Sequence, residues 1–378
     1  MTFGQGRVLE EVSAGPEAVM IVEPGPDDPP ERREMRADAL IFKFAPNGKL
    51  RQYLGNFGTS VRFVPLDPGT GDLRSISATY FFVNLDPETG EAETIAFNEH
   101  VVFERKNQRG TGAKAEFSEK TARLTVSGGA AIEDSAAQVS LLSSIIDLDT
   151  RSGSFHARGG VRHTQKGGIP GSPFGTAGSD LLATSRQVVY DAQRKSTQYR
   201  ERVVLRAGED ELRATTIETV ETPRGPKITA DTDVEIVIAG GGPGAGLSAQ
   251  AAKMTYEPQD RKFDFNGSAA VRQQDFETKA PEIHVALGTS GTFEVRSLEA
   301  QGGLVTLKAK DRNAEGTHLF YTPKDGRVVM SGSPVKLEDL GRRLQGKSVT
   351  FLTSGDQVEL VGEEGRTETV LQRKIKKP

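Results

Sequence analysis

An apolar residue that ends a short strand and is followed at once by a polar turn recurs ten times along this chain. It stands at Phe44, Leu85, Phe117, Leu148, Tyr190, Val220, Tyr256, Leu287, Tyr321 and Leu352. The intervals are 41, 32, 31, 42, 30, 36, 31, 34 and 31 residues, so a base period near 31 holds. A unit of this length buries too little apolar surface to fold alone, so its copies must stack on one another. Each long interval carries an insertion. These are Pro65–Asp72, the Gly/Pro-rich Gly167–Gly178, and the glycine cluster Gly240–Gly246.

Two residues before the anchors stand Phe42, Val83, Ala115, Ile146, Val188, Glu218, Met254, Val285, Leu319 and Thr350, and eight of these ten are apolar. A spacing of two places both residues on one face of a strand. The turns that follow have hairpin chemistry: Pro46-Asn-Gly48, Asp86-Pro-Glu-Thr-Gly90, Asp149-Thr-Arg-Ser-Gly153, Pro223-Arg-Gly225 and Pro323-Lys-Asp-Gly326. Proline fixes φ early in such a turn and glycine takes positive φ late. Second strands follow, as in Arg327–Ser331 and Gln357–Val361, and then further apolar runs such as Val101–Phe103, Val203–Leu205 and Val335–Leu337. Each repeat therefore holds three short strand segments, or two longer strands with a bend at the Gly.

The expected fold class is all-β, with about ten repeats of ~31 residues stacked edge to edge as one antiparallel sheet structure. The best helical candidate, Leu337–Leu344, is worth a turn or two at most. The expected organisation is a partial repeat and charged Pro-rich loop over 1–35, repeats over 36–166, a loop over 167–180, and repeats continuing the same sheet over 181–378. Arg7–Val12 and Ala18–Val22 read as strands of a unit already under way, with Pro24–Glu34 as the charged loop, so sequence is expected upstream of Met1.

The cluster Ile236-Val-Ile-Ala-Gly-Gly-Gly-Pro-Gly-Ala-Gly246 invites a dinucleotide-binding reading. It fails on context. The fingerprint must open a crossover helix, yet Ala252–Gly267 is a regular repeat unit, in register with Gly316–Ser331. A loop between strands fits better, and no cofactor is expected. Net charge is -4 with both signs interspersed, which leaves no basic footprint for nucleic acid. There is no cysteine, so disulfides and thiol catalysis are excluded. The basic tail Arg373–Pro378 reads as solvated.

The histidines at 100, 156, 163, 284 and 318 have no metal-ligand spacing. His156 and His163 fall in one expected hairpin, where a mutual approach weighs less than two ordinary strand residues. Acidic pairs such as Asp210-Glu211 sit in turns, where solvated charge is the default. No serine lies in a nucleophile elbow. With no catalytic constellation, the chain reads as a non-enzyme. What remains is the repeated apolar stripe, either a packed core or an apolar trough. Small inward residues and the absence of tryptophan favour a thin core.

The repeat resembles the OstA-like repeat of the lipopolysaccharide-transport periplasmic proteins. The passages that carry the likeness are Ala113–Ile132, followed by Ile146–Val161, and Asn313–Glu364, with their small-x-x-apolar-x-apolar strand, D/P-x-x-G turn and Gly-x-(Ala/Pro)-Val-x-Leu continuation. The resemblance implies an elongated, open β-jellyroll with a V-shaped cross-section. It implies a periplasmic carrier of lipopolysaccharide between inner and outer membranes, with acyl chains in the groove and sugars outside. The implied lining is Phe42, Phe44, Val83, Leu85, Ala115, Phe117, Ile146, Leu148, Val188, Tyr190, Met254, Tyr256, Val285, Leu287, Leu319 and Tyr321. Implied partners are an inner-membrane ABC transporter complex, an outer-membrane translocon and like modules joined by edge-strand addition at both ends. Length and insertions leave open a soluble bridge, an anchored partner or a fusion of the two. The other reading is a structural or adhesive β-solenoid that binds no lipid, its interior closed by its own side chains.

Overall fold

The computed structural model describes residues 2–3, 9–25, 30–67, 74–86, 88–118, 120–168, 171–175, 178–240, 246–288, 293–339, 341–353, 357–362 and 369–372. The chain is all-β, and it divides into two compact units. Unit 1 comprises 1–165 with 186–195, and unit 2 comprises 166–185 with 196–378.

Unit 1 contains β1 (Thr2–Phe3), β2 (Leu9–Ala14), β3 (Ala18–Val22), β4 (Glu31–Ala37), β5 (Ala39–Phe44), β6 (Leu50–Pro65), β7 (Arg74–Leu85), β8 (Ala92–Arg105), β9 (Gln108–Ser118), β10 (Arg123–Asp134), β11 (Val139–Asp149) and β12 (Phe155–Gln165). Strand β13 (Leu181–Asp191) belongs to unit 2 up to Ser185 and to unit 1 from Arg186. Unit 2 continues with β14 (Ser196–Ala207), β15 (Asp210–Thr222), β16 (Gly225–Ile238), β17 (Leu247–Glu257), β18 (Lys262–Gln273), β19 (Phe276–Leu287), β20 (Val295–Gln301), β21 (Val305–Ala309), β22 (Arg312–Gly316), β23 (His318–Thr322), β24 (Arg327–Asp339), β25 (Arg342–Leu352), β26 (Gln357–Val361) and β27 (Thr369–Gln372).

Both units are antiparallel meanders. From β6 to β12, and from β14 to β19, each strand pairs with its chain neighbour. Where a long strand is broken in two, both pieces pair with the same neighbour. Thus β4 and β5 both lie on β6, and β20 and β21 both lie on β19. Aspartates close several hairpins. Asp86 and Asp149 each accept two backbone N–H bonds from their own turn, which hold these carboxyls below the usual carboxylate range.

The repeats contain two long strands with a bend, and the bend lies in every second strand. Paired residues with positive φ stand at Phe57–Gly58 in β6, Glu99–His100 in β8, Gly128–Gly129 in β10, Gly159–Gly160 in β12, Glu201–Arg202 in β14, Thr232–Asp233 in β16 and Gly267–Ser268 in β18. The same step, Gly302–Gly303, separates β20 from β21. Within β6 to β18 each is a bulge where the ladder slips by one residue, as between Arg200 and Val203 opposite Thr216 and Ala214, and between β20 and β21 the slip is two. An extra residue bends its strand and strengthens the local twist.

Four sequence expectations are corrected. Within Leu337–Leu344, residues 337–339 end β24 and 342–344 open β25 rather than a helix, because Val335 and Leu337 alternate inward and are buried. The charged segment Pro24–Glu34 is already strand from Glu31. The inward residues of β15 are Ile217 and Thr219, opposite the buried Ala230 and Ile228, so Glu218 and Val220 are one place out of register. In β25 the inward pair is Val349 and Phe351, and Leu352 is exposed. The insertions Pro65–Asp72, Gly167–Gly178 and Gly240–Gly246 each include residues outside those described, namely 68–72, 169–170 with 176–177, and 241–245. The strands flanking the glycine cluster pair directly, Ile238 opposite Leu247, so β16 and β17 are a hairpin rather than the arms of a crossover.

Candidate functional site

Cross-strand partners share a face of the sheet, so the registers trace which residues line the interior. In unit 1 one row runs Phe42, Tyr53, Val83, Ile95, Phe117, Leu124, Leu148, Phe155, each opposite the next. Tyr190 stacks on the last of these, ring centroids 5.4 Å apart. A second row runs Phe81, Phe97, Ala115, Val126, Ile146, Ala157 and is buried throughout.

Unit 2 repeats the arrangement. One row is Ile228, Tyr256, Phe263, Val285, Leu298, Tyr321, Val328, Phe351, Val358. The parallel row is Tyr199, Ile217, Ala230, Met254, Phe265, Ile283, Ala300, Leu319, Met330, Val349. Every member of both rows is buried. At about 4.8 Å per strand, a nine-strand row extends roughly 40 Å. Burial pushes the hydroxyl pKa of Tyr199, Tyr256 and Tyr321 upward, as a low-dielectric interior requires.

The structure places the sequence-derived lining as follows. Val83, Ala115, Ile146, Val188, Met254, Tyr256, Val285, Leu287, Leu319 and Tyr321 are buried. Phe42, Phe44, Leu85, Phe117, Leu148 and Tyr190, all in unit 1, are half-buried. The anchors sit where strands meet the hairpins, so in unit 1 they form a partly open apolar rim.

In unit 2 the two hairpin rims are bridged. Each long strand crosses from a first rim, made by the turns at 207–210, 273–276 and 309–312 with the strand ends Asp339 and Arg342, to a second rim made by the turns at 222–225 and 322–327 with the strand ends Leu352 and Gln357. Phe276 on the first rim stacks on Tyr321 near the second, centroids 4.1 Å apart and planes at 14°. Arg312 on the first rim donates from Nη1 to the carbonyl of Leu352 on the second, 2.8 Å. Its guanidinium lies over the Phe351 ring and its Nε contacts Asp339 at 3.1 Å. The halves on either side of the bends therefore face one another.

Sequence reasoning missed Asp210, Arg312 and Phe174. Asp210 is buried rather than solvated and accepts bonds from the Gly175 and Ala239 amides. No spacing rule marks a turn aspartate for that role. His156 and His163 lie on one strand, β12, on opposite sides of its bend, and form no hairpin pair. His156 reaches Gln187 at 3.2 Å, and burial lowers the His163 pKa to about 4. Among the described residues, no group of three or more His, Asp or Glu is arranged to hold a metal, and no helix is long and apolar enough to cross a membrane.

Residues 183–291 match the profile of the family described as LptA/(LptD N-terminal domain) LPS transport protein. The match spans 109 of the 378 residues. It comprises most of β13 and all of β14 to β19, and so includes the first half of both apolar rows of unit 2. The resemblance read from the repeat thus holds at the level of the LPS transport family. Among solved structures, the chain is similar to LptH, the LptA-homologous periplasmic component of the lipopolysaccharide transport device of Pseudomonas aeruginosa. That match has 15% identity, covers 28% of this chain and 75% of LptH, and has a TM-score of 0.27, too low to carry an argument. Comparison with curated proteins gives no match.

Proposed function

We propose that this protein carries lipopolysaccharide through the periplasm, with the acyl chains held on the paired apolar rows and the saccharide outside. The observation that carries the reading is the unbroken row from Phe42 to Phe155, with half-buried Phe117 and Leu148 at an apolar rim where a chain can enter. The match of residues 183–291 to the LPS transport family supports it. Exposing one acyl chain of a dozen carbons to water costs on the order of 10 kcal/mol, at about 0.8 kcal/mol per CH₂. A row offering similar contacts at each strand lets a chain advance without a large uphill step. Direction comes from outside this chain, from an inner-membrane ABC transporter complex feeding an outer-membrane translocon.

Like modules extend the path by adding strands at its ends. At the N-terminal end β3 is paired by β4 on one side and exposes Val19, Ile21 and Val22, an apolar edge suited to a partner strand. In unit 2, β27 lies on β26. The competing reading, a structural β-solenoid without lipid, draws on the bridged rims of unit 2.

Photo-crosslinking separates the two. Benzophenone side chains at Phe117, Met254 and Tyr321, with controls at Glu116, Thr255 and Thr322, are placed in cells making lipopolysaccharide. Adducts at the first set alone are expected. A folded protein with adducts at neither set returns the interior to a closed core and the chain to the solenoid reading.

A further inference from the structure

The segment from Lys166 to Asp180 lies outside every repeat and ends before the matched domain begins at 183. It nevertheless sends a ring into the interior of unit 2. Phe174 is 8% exposed and meets Phe263 edge-on, centroids 6.3 Å apart. Phe263 in turn packs on Tyr256 at 4.9 Å. The interior rows traced by the registers are built from strands, and Phe174 comes from none.

The segment also spans the mouth. A Cβ on Gly171 would lie 2.9 Å from the Gly225 Cα, on the second rim. A Cβ on Gly175 would lie 2.9 Å from the Ala207 Cβ, on the first, and the Gly175 amide donates to Asp210 Oδ2 at 2.6 Å. Four residues reach at most about 14 Å. The strand joining those rims, β15, has 13 residues and would measure roughly 40 Å if straight. The unit is therefore folded over at its bends, and residues 171–175 strap the two rims together with Phe174 beneath. Gly167, Gly168, Gly171, Gly175 and Gly178 all have positive φ, a backbone that few other residues adopt at low cost. Two hydrogen bonds to Asp210, from Gly175 and from Ala239, tie the strap and the neighbouring hairpin to one carboxylate.

We propose that residues 171–175 are a releasable strap, and that Phe174 holds the place of an acyl chain until lipid displaces it. This rests on the lipid-carrier reading. The strap keeps unit 2 closed and its interior dry when empty, and lipid arriving along the row exchanges one apolar group for another, so opening carries little hydrophobic cost.

The chain has no tryptophan and no cysteine, which makes both tests clean. In Phe174→Trp the sole indole reports the strap, and a red shift of its emission is expected when purified lipopolysaccharide is added to the full chain. In a second protein, Gly175→Cys with Ala207→Cys locks the strap. A shift of about 1 Å brings that pair to the Cβ spacing of a disulfide. With benzophenone at Met254, lipopolysaccharide adducts are expected to be lost in the oxidised lock and restored by reduction. Phe174→Ala is expected to raise adduct yield several-fold over the parent. If Phe174→Ala fails to fold, the lock decides, because its reduced form is its own control. Adducts of equal yield in the oxidised and reduced lock, or adducts with unmoved indole emission, overturn the strap and leave the carrier reading standing. No adduct in the parent, Phe174→Ala or the reduced lock overturns both.

Discussion

The rings of Phe276 and Tyr321 stack 4.1 Å apart although they stand near opposite rims of unit 2. Phe276 opens β19, and Tyr321 is reached from the far half of β19 only through β20 and β23. Their contact requires the sheet to turn back on itself. Phe276→Ala is expected to cost about 3–5 kcal/mol, as for other buried rings. Part of that is specific to the pair. A double-mutant cycle with Tyr321→Ala, read by urea unfolding, is expected to give a coupling of about 0.5–1.5 kcal/mol. Additive effects would mean the rings are merely neighbours.

Arg312 makes the second bridge. Its side chain is nearly fully buried, in ion pair with Asp339 and over Phe351. Removing it alone, as Arg312→Met, strands a carboxylate that is itself largely buried. A loss of about 3–5 kcal/mol is expected, and Arg312→Met with Asp339→Asn is expected to recover most of it. Arg312→Lys is not expected to substitute, since one ammonium cannot serve Asp339, the Leu352 carbonyl and the ring together.

Burial holds the His163 pKa at about 4, so the folded protein keeps this ring neutral where an unfolded chain would charge it. Between pH 6.5 and 4 the unfolded state binds the additional proton, and stability falls as pH falls through that window. The loss at pH 5 is expected to be about 1–2 kcal/mol, by the same linkage. His163→Gln should flatten the dependence. Unfolding curves at pH 7 and 5 that differ equally in both proteins would remove His163 from the account.

The bends make opposite predictions for two residue types. Arg202 holds φ at 55° and Glu201 at 65°, which strains a side chain bearing residue. Arg202→Gly is expected to be neutral or to stabilise by up to about 1 kcal/mol. Gly159 has φ of 87°, and a Cβ there would lie 2.7 Å from Ser144 Cβ. Gly159→Val is expected to cost about 2 kcal/mol or more. Thermal melts of the two variants check both signs.

Much of this was legible in the chain. The spacing of Val83 from Leu85, or Met254 from Tyr256, fixes the period of two and hence strand and face. Asp149-Thr-Arg-Ser-Gly153 specifies its own hairpin through local hydrogen bonds. These are near-neighbour effects, and sequence carries them directly. The bends were half legible. Ser127-Gly-Gly-Ala130 announces one, but Arg200-Glu-Arg-Val203 makes the same step without glycine, because neighbouring strands impose it. At Val220 and Leu352 the apolar residue nearest the turn is one place from the inward one, and a one-residue offset moves a side chain to the other face.

Tertiary structure alone decided what meets across the interior. Nothing near Asp210 in sequence marks it as the tether of Gly175, 35 residues away, nor Phe174 as a partner of Phe263. Such contacts depend on where the sheet folds over, and that is set by the summed bends of many strands. The all-β repeat, its turns and its apolar stripe follow from residues two to five apart, and the chain carries them directly. The closed seam of unit 2, the strap over it and the half-open rim of unit 1 were decided by packing between residues that only the folded sheet brings together.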